Sequence, residues 1–215
     1  ILFSKRGACK SSLEMYSEAE VDLTKAIELE PNNMNFYYSR GLNRIFDGYL
    51  EDAILDLKEA SSDFQDDPSF LYSFACAYKA NNEYEGANEN YKKLFNIGMQ
   101  RYKNEDYQGT IEVFKQALGL YPDELMTNKL IANSYLKIGE IDKAYPYVQE
   151  AMKIDPKDEQ TKGLWQIVNP ITPERLERIK EIEKKIEGLE VDQRKDVLTA
   201  REYEDLQKFL EIDFE

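Results

Sequence analysis

The sequence predicts an all-α chain built as a solenoid of about five stacked helix–turn–helix units. Three observations carry this. Ala19, Leu23 and Ala26 return 34 residues later as Ala53, Leu57 and Ala60, and again as Ala87, Tyr91 and Leu94. Thr110, Phe114, Ala117 and Pro122 likewise return 34 residues on as Ala144, Val148, Ala151 and Pro156. Upstream of each set stands a small residue (Gly7, Gly41, Ala75, Gly98, Ala132) where a second helix can approach closely. Self-similarity at such a period marks stacked helical repeats, in which each unit buries its apolar face on its neighbours rather than in one central core.

In the first unit, residues 1–13 form one helix, Tyr16 lies near the turn and a second helix runs from about Ser17 to Glu30. Pro31 with Asn32 and Asn33 ends it, because proline cannot continue the hydrogen-bond ladder. The second unit turns at Gly48-Tyr49 and ends in SSDFQDDP, whose acids lack the glycine and terminal glutamate of a calcium loop and read as solvated. The third unit has Tyr78 between its helices and turns at Asn81-Asn82.

There the period breaks. Thr110 follows Ala87 by 23 residues instead of 34, yet Gly98 precedes Thr110 by 12, as Gly41 precedes Ala53. Either two helices are fused here, or residues are missing near Leu94–Gly98; the clean restart favours missing residues. The fifth unit is the most regular, with Ala132 and Tyr135 inside its first helix, Gly139 at the turn and Pro146 near the start of its second helix, where the missing donor is tolerable. EQTKGLWQIV then forms a capping helix that covers the last apolar face with Leu164, Trp165 and Val168.

Asn169-Pro170 closes a repeat domain of residues 1–168 and opens a helical extension of residues 169–215. Thr172-Pro173-Glu174 starts a helix with Leu176, Ile179, Ile182, Ile186 and Leu189 on one stripe. That stripe, under two heptads long, suits docking better than a free coiled coil. A second start at Thr199, with Glu202 completing a capping box, leads to Tyr203, Leu206, Phe209 and Leu210.

Composition narrows the function. The net charge is −14, and acidic residues outnumber basic ones in residues 1–83, 84–158 and 159–215 alike. Nucleic acid and anionic membranes need a positive surface, so neither is expected as the main partner. Histidine is absent, which removes histidine triads and imidazole metal sites. Cys9 and Cys76 form no CxxC pair, so no metal is expected and a reducing, cytoplasmic setting is. No apolar run spans a membrane, no phosphate loop is present, and no cofactor is implied. The chain begins with Ile1, so a fragment is expected and the lack of a leader decides nothing.

These repeats resemble the tetratricopeptide repeats, helix–turn–helix units of 34 residues with small residues at the crossings and a closing proline. The resemblance covers residues 1–158 and the capping helix. Departures are Arg44 and Arg101, where the family prefers an aromatic, and Thr110 in place of alanine. It implies a right-handed solenoid that binds a peptide or an amphipathic helix in the groove lined by the first helix of each pair. On this chain the resemblance assigns the groove to Tyr38, Leu42, Tyr72, Cys76, Met99, Tyr102, Lys129 and Asn133.

One subgroup clamps the acidic tails of heat-shock chaperones with lysine, arginine and asparagine. The matching places here hold Ser4, Ala8, Ser39, Ser69 and Ser73, and in later units Phe95, Met99 and Leu130, so that mode is not expected. The expectation is a noncatalytic interaction scaffold in a larger assembly, with a basic segment as one suitable partner. The family also suggests a cytoskeletal or ciliary setting. The alternative is the regulatory or targeting module of an enzyme whose catalytic domain lies outside these residues.

Overall fold

A computed structural model describes residues 2–169, 173–187 and 198–199, and all regular structure among them is α-helical. The chain divides into two compact units, Ile1–Pro122 and Asp123–Glu215.

The first unit holds α1 (Leu2–Ser12), α2 (Tyr16–Leu29), α3 (Met34–Asp47), α4 (Leu50–Phe64), α5 (Pro68–Ala80), α6 (Tyr84–Lys103) and α7 (Tyr107–Leu120). The repeated residues are the ones that pack. Ala19, Leu23 and Ala26 on α2 and Ala53, Leu57 and Ala60 on α4 are buried. Gly41 lies so close to α4 that an added Cβ would stand 3.0 Å from Leu57 Cγ. Successive hairpins are joined by apolar contacts such as Ala26, Ile27 and Phe36, with Phe3 and Tyr37 packed against them. α5 begins with Asp67 accepting from the Phe70 amide at 2.7 Å and with Pro68 in the first turn.

The hairpin turns share one conformation. Glu14, Gly48, Asn82 and Glu105 in this unit, and Gly139 in the second, all have φ between 60 and 86°. They occupy one position of the repeat, because the helix must reverse within a few residues and the left-handed region does this. Glycine meets the demand freely at two of the five sites.

The expectation of missing residues near Leu94–Gly98 is corrected. α6 is one continuous helix of 20 residues that passes through Asn96. Its buried residues Ala87, Asn90, Leu94 and Gly98 form an unbroken stripe. With that buried line running through, a turn would expose packed surface, so the second helix of one hairpin continues as the first helix of the next. Gly86 fits under the Tyr78 ring of α5, and Gly98 fits under the Phe114 ring of α7. α7 also lies beside α5: Gln116 Nε2 donates to Ser69 Oγ at 3.4 Å, 47 residues apart, and Gly119 packs on Tyr72 at the same offset. The two helices therefore run parallel, both antiparallel to α6.

The second unit holds α8 (Leu125–Lys137), α9 (Ile141–Ile154), α10 (Glu159–Val168) and α11 (Pro173–Ile186). Ala144, Val148 and Ala151 of α9 are buried, as are Ile131, Ala132 and Tyr135 of α8. On α10 the residues of the expected cap, Leu164, Trp165 and Val168, are buried as well. On α11, Ile182 and Ile186 bury against Leu198. The side chains of Leu176, Ile179 and Leu189, and the helix expected from Thr199 onward with Glu202, Tyr203, Leu206, Phe209 and Leu210, lie outside the described residues.

Candidate functional site

In the first unit, the first helices α1, α3 and α5 carry two rows of residues spaced by the repeat. One is Ser4, Tyr38 and Tyr72; the other is Ala8, Leu42 and Cys76. The rows differ in what they touch. Tyr38 sits tilted against Phe64 at 5.1 Å and edge-on to Phe70 at 5.2 Å, and its hydroxyl meets Ser73. Burial in that cluster raises its pKa. Tyr72 packs on Gly119 and hydrogen-bonds Cys76 one turn on, a bond that, ahead of burial, raises the Tyr72 pKa. Both tyrosines turn sideways toward the next parallel helix. Ala8 is exposed, and Leu42 and Cys76 are half-buried. Burial pushes the Cys76 thiol up, so it stays protonated and unreactive at neutral pH.

The remaining expected groove residues fall elsewhere. Met99 and Tyr102 are half-buried on α6, the shared helix, with Tyr102 edge-on to Tyr107 at 5.7 Å. In the second unit, Asn133 is half-buried on α8. Lys129 is buried and donates to Asp158 Oδ1 at 2.8 Å. Asp158 also caps α10, accepting from the Thr161 amide at 2.8 Å and hydroxyl at 2.7 Å. Lys129, ahead of Thr161, holds the Asp158 carboxyl at about 2. The lysine assigned to a groove thus ties α8 to the start of α10.

Sequence reasoning missed a polar seam. Arg40 clasps the buried Asp56 with Nε at 2.9 Å and Nη2 at 2.7 Å, while its Nη1 reaches Thr24 Oγ1 on α2 at 3.0 Å. Arg44 bonds Asp56 through Nη1 at 2.8 Å and Glu20 of α2 through Nε at 2.8 Å. One repeat earlier, Arg6 clasps Asp22 with Nε at 2.8 Å and also with Nη2, and Lys10 reaches Asp22 at 3.1 Å. One repeat later the same three positions hold Phe74 and Tyr78, stacked at 4.6 Å, and buried Asn90. Arg44, a departure from the family's aromatic, is therefore matched by an acid at Asp56. The signal was legible: Arg-x3-Lys or Arg-x3-Arg followed by Asp recurs at the 34-residue period.

Among the described residues, no group of three or more His, Cys, Asp or Glu could hold a metal ion, and no helix is long and apolar enough to cross a membrane. The tetratricopeptide repeat family matches at residues 4–33 and again at 101–164. Protein CTR9 homolog of Arabidopsis thaliana is 33% identical over 66 residues, which are 31% of this chain and 6% of that protein. Similar solved structures include the MamA protein, 18% identical over 73% of this chain and 91% of that one, with a TM-score of 0.43. YrrB, described as a TPR protein with an unusual peptide-binding site, is 16% identical over 75% of this chain and 89% of its own, with a TM-score of 0.39. The two family matches fall on hairpins with the small-residue crossings described above, so tetratricopeptide repeats occupy residues 4–33 and 101–164.

Proposed function

We propose that this protein is a noncatalytic interaction scaffold, and that the first unit takes an extended segment or a helix of a protein partner along α1, α3 and α5. The observation that carries the reading is the row Ala8, Leu42 and Cys76. It recurs at the repeat spacing, is uncharged, stays at least partly accessible, and belongs to helices whose opposite faces are committed to stacking. Ser39 and Ser73 flank it with half-buried hydroxyls. Such a surface suits an apolar anchor with backbone hydrogen bonding on either side. Lys79 is held by the Leu120 carbonyl and is not offered to an acidic tail, which disfavours a carboxylate clamp. The net charge of −14 favours a partner with basic flanks, and the free cysteines Cys9 and Cys76 suit a reducing, cytoplasmic setting.

Affinity capture with the full chain, followed by identification of bound proteins, tests this. Leu42→Lys combined with Cys76→Lys removes the specific partners, whereas Leu55→Lys, at an exposed position on α4, retains them. An unchanged partner set in the double variant refutes the groove assignment.

A further inference from the structure

We infer that the edge formed by the α3–α4 and α5–α6 turns is a docking surface for a basic amphipathic helix of a protein partner. That helix carries large apolar residues at a seven-residue period, with lysine or arginine between them. The edge lies beyond the groove row, at the ends of the helices, and the inference does not depend on the groove.

Three aromatic rings are bare on this edge. Phe46, in the last turn of α3, is 68% exposed, and Tyr49 before α4 and Tyr84 at the start of α6 are each 55% exposed. Large apolar groups gathered in adjoining turns mark an interaction surface. The hairpins that bear them have neighbours in place on both sides, α1–α2 and α7. The exposure therefore belongs to the edge itself and not to an end of the stack. Two of the rings are already ordered. Phe46 stacks on Tyr16 at 5.3 Å with planes 15° apart, and Ser17 Oγ donates to Asp47 Oδ2 at 2.8 Å across the same hairpin boundary. The Tyr84 hydroxyl donates to Asn82 Oδ1 at 3.2 Å. Ordered rings lose little freedom on binding.

Charge says what covers them. Glu51, Asp52 and Glu85 are exposed in the first turns of α4 and α6 and form no ion pair among the described residues. The cations at the ends of α1 and α3 are spent. Lys10 reaches Glu18 at 3.4 Å and Asp22 at 3.1 Å, and Arg44 bonds Glu20 and Asp56. Acids at a helix N-terminus favour the dipole, which accounts for the carboxylates but not for the bare rings beside them. A cationic side chain satisfies both, the carboxylate by a charge-assisted hydrogen bond and the ring by its π face. A second copy docked by the same edge would set acid against acid, and an anionic membrane is repelled likewise. Packed helices lie about 8–10 Å apart, and residues seven apart on a helix are about 10.5 Å apart along its axis. One partner helix thus matches Phe46 and Tyr49 in one turn and Tyr84 in the next.

The probe is a fluorescein-labelled peptide of two copies of the heptad Leu-Lys-Lys-Leu-Lys-Arg-Ala, titrated into the full chain. Short helices are marginal alone, so a helix-stapled version is used. Saturable binding is expected, weakened about tenfold by Phe46→Ser and by Tyr84→Ser, the size expected for one aromatic ring. Both positions are exposed, so circular dichroism should show an unaltered fold. Glu51→Lys combined with Glu85→Lys also weakens binding about tenfold. Glu59→Lys combined with Glu112→Lys makes the same change in net charge at exposed positions on α4 and α7, and weakens it by no more than about twofold. A peptide of the same composition, shuffled so that its leucines share no face, binds about tenfold more weakly. Equal losses from the two charge pairs overturn the inference, because attraction is then not confined to this edge. Unchanged affinity in both serine variants overturns it as well. Self-association of the chain that the serine variants abolish overturns it in favour of a second copy, and pelleting with phosphatidylserine vesicles that they abolish overturns it in favour of a membrane.

Discussion

Arg40 holds Asp56 by two parallel bonds from one guanidinium edge, and Arg6 holds Asp22 in the same way 34 residues earlier in the chain. The pairs differ in surroundings. The Arg40 side chain is 13% exposed and that of Arg6 is 55% exposed. Asp56→Ala leaves Arg40 and Arg44 partly buried without their anion, and a loss of about 3 kcal/mol is expected from urea unfolding. Asp22→Ala costs clearly less, because Arg6 returns to water. Replacing the whole set as the next repeat does, with Arg40→Phe, Arg44→Tyr and Asp56→Asn, loses far less than Asp56→Ala alone. A triple variant as unstable as the single one would show that the seam is more than an exchangeable packing solution.

Acid should loosen the molecule through two carboxylates. Asp22 and Asp158 both titrate at about 2 in the folded protein, against 3.8 as the ordinary value. A depressed folded pKa means that the unfolded chain binds the proton first, so the stabilisation is complete above about pH 4 and fades as pH falls toward 2. Lys129→Met removes the largest cause at Asp158, whose carboxyl then rises toward 3.8 and whose share of the acid sensitivity shrinks, the Thr161 bonds remaining. Carboxyl carbon shifts followed by NMR across that range check the direction, and an Asp158 titration that does not move would exclude Lys129 as the cause.

Glu105 has φ 61° at the turn position where Gly48 and Gly139 have 86° and 81°. A side chain in that region is strained by about 1 kcal/mol. Glu105→Gly is expected to raise stability by about 0.5 kcal/mol after the greater freedom of the unfolded glycine is allowed for. Gly48→Ala should do the reverse. Thermal melts of the two variants should move in opposite directions.

Gly98→Ala tests the shared helix. An added Cβ would stand 2.7 Å from the ring of Phe114, which is fully buried. Overpacking of this kind costs about 1–3 kcal/mol, more than alanine's helix preference returns. Phe114→Leu in the same chain should recover most of the loss. A Gly98→Ala chain as stable as the original would mean that α7 does not press on α6 there.

Much of the architecture was legible because the period places Ala19, Ala53 and Ala87 where helices cross, and such positions tolerate only small residues. The break after Ala87 was visible, but its cause was not. Spacing reveals that residues are fewer, and whether a turn or a helix fills them depends on packing by Phe114 and Tyr78 from other helices. Groove assignment by register was weaker still. Tyr38 and Leu42 are one turn apart on α3, yet one is drawn into an aromatic cluster with Phe64 and Phe70 while the other keeps an open side. Lys129 looked like a groove cation until Asp158, 29 residues away, claimed it.

The shared helix also fixes what lengths its junction can have. Ala87 and Gly98 are 11 residues apart on α6, and at 3.6 residues per turn that is roughly 20° past three full rotations. The crossing residue of one hairpin and that of the next therefore lie along one line of a single rod, which lets α5 and α7 settle side by side. A junction one residue shorter or longer would swing α7 around α6 by about 100° and part it from Tyr72. Insertions here are thus quantised by helical phase: whole sets of turns are admissible, and single residues are not.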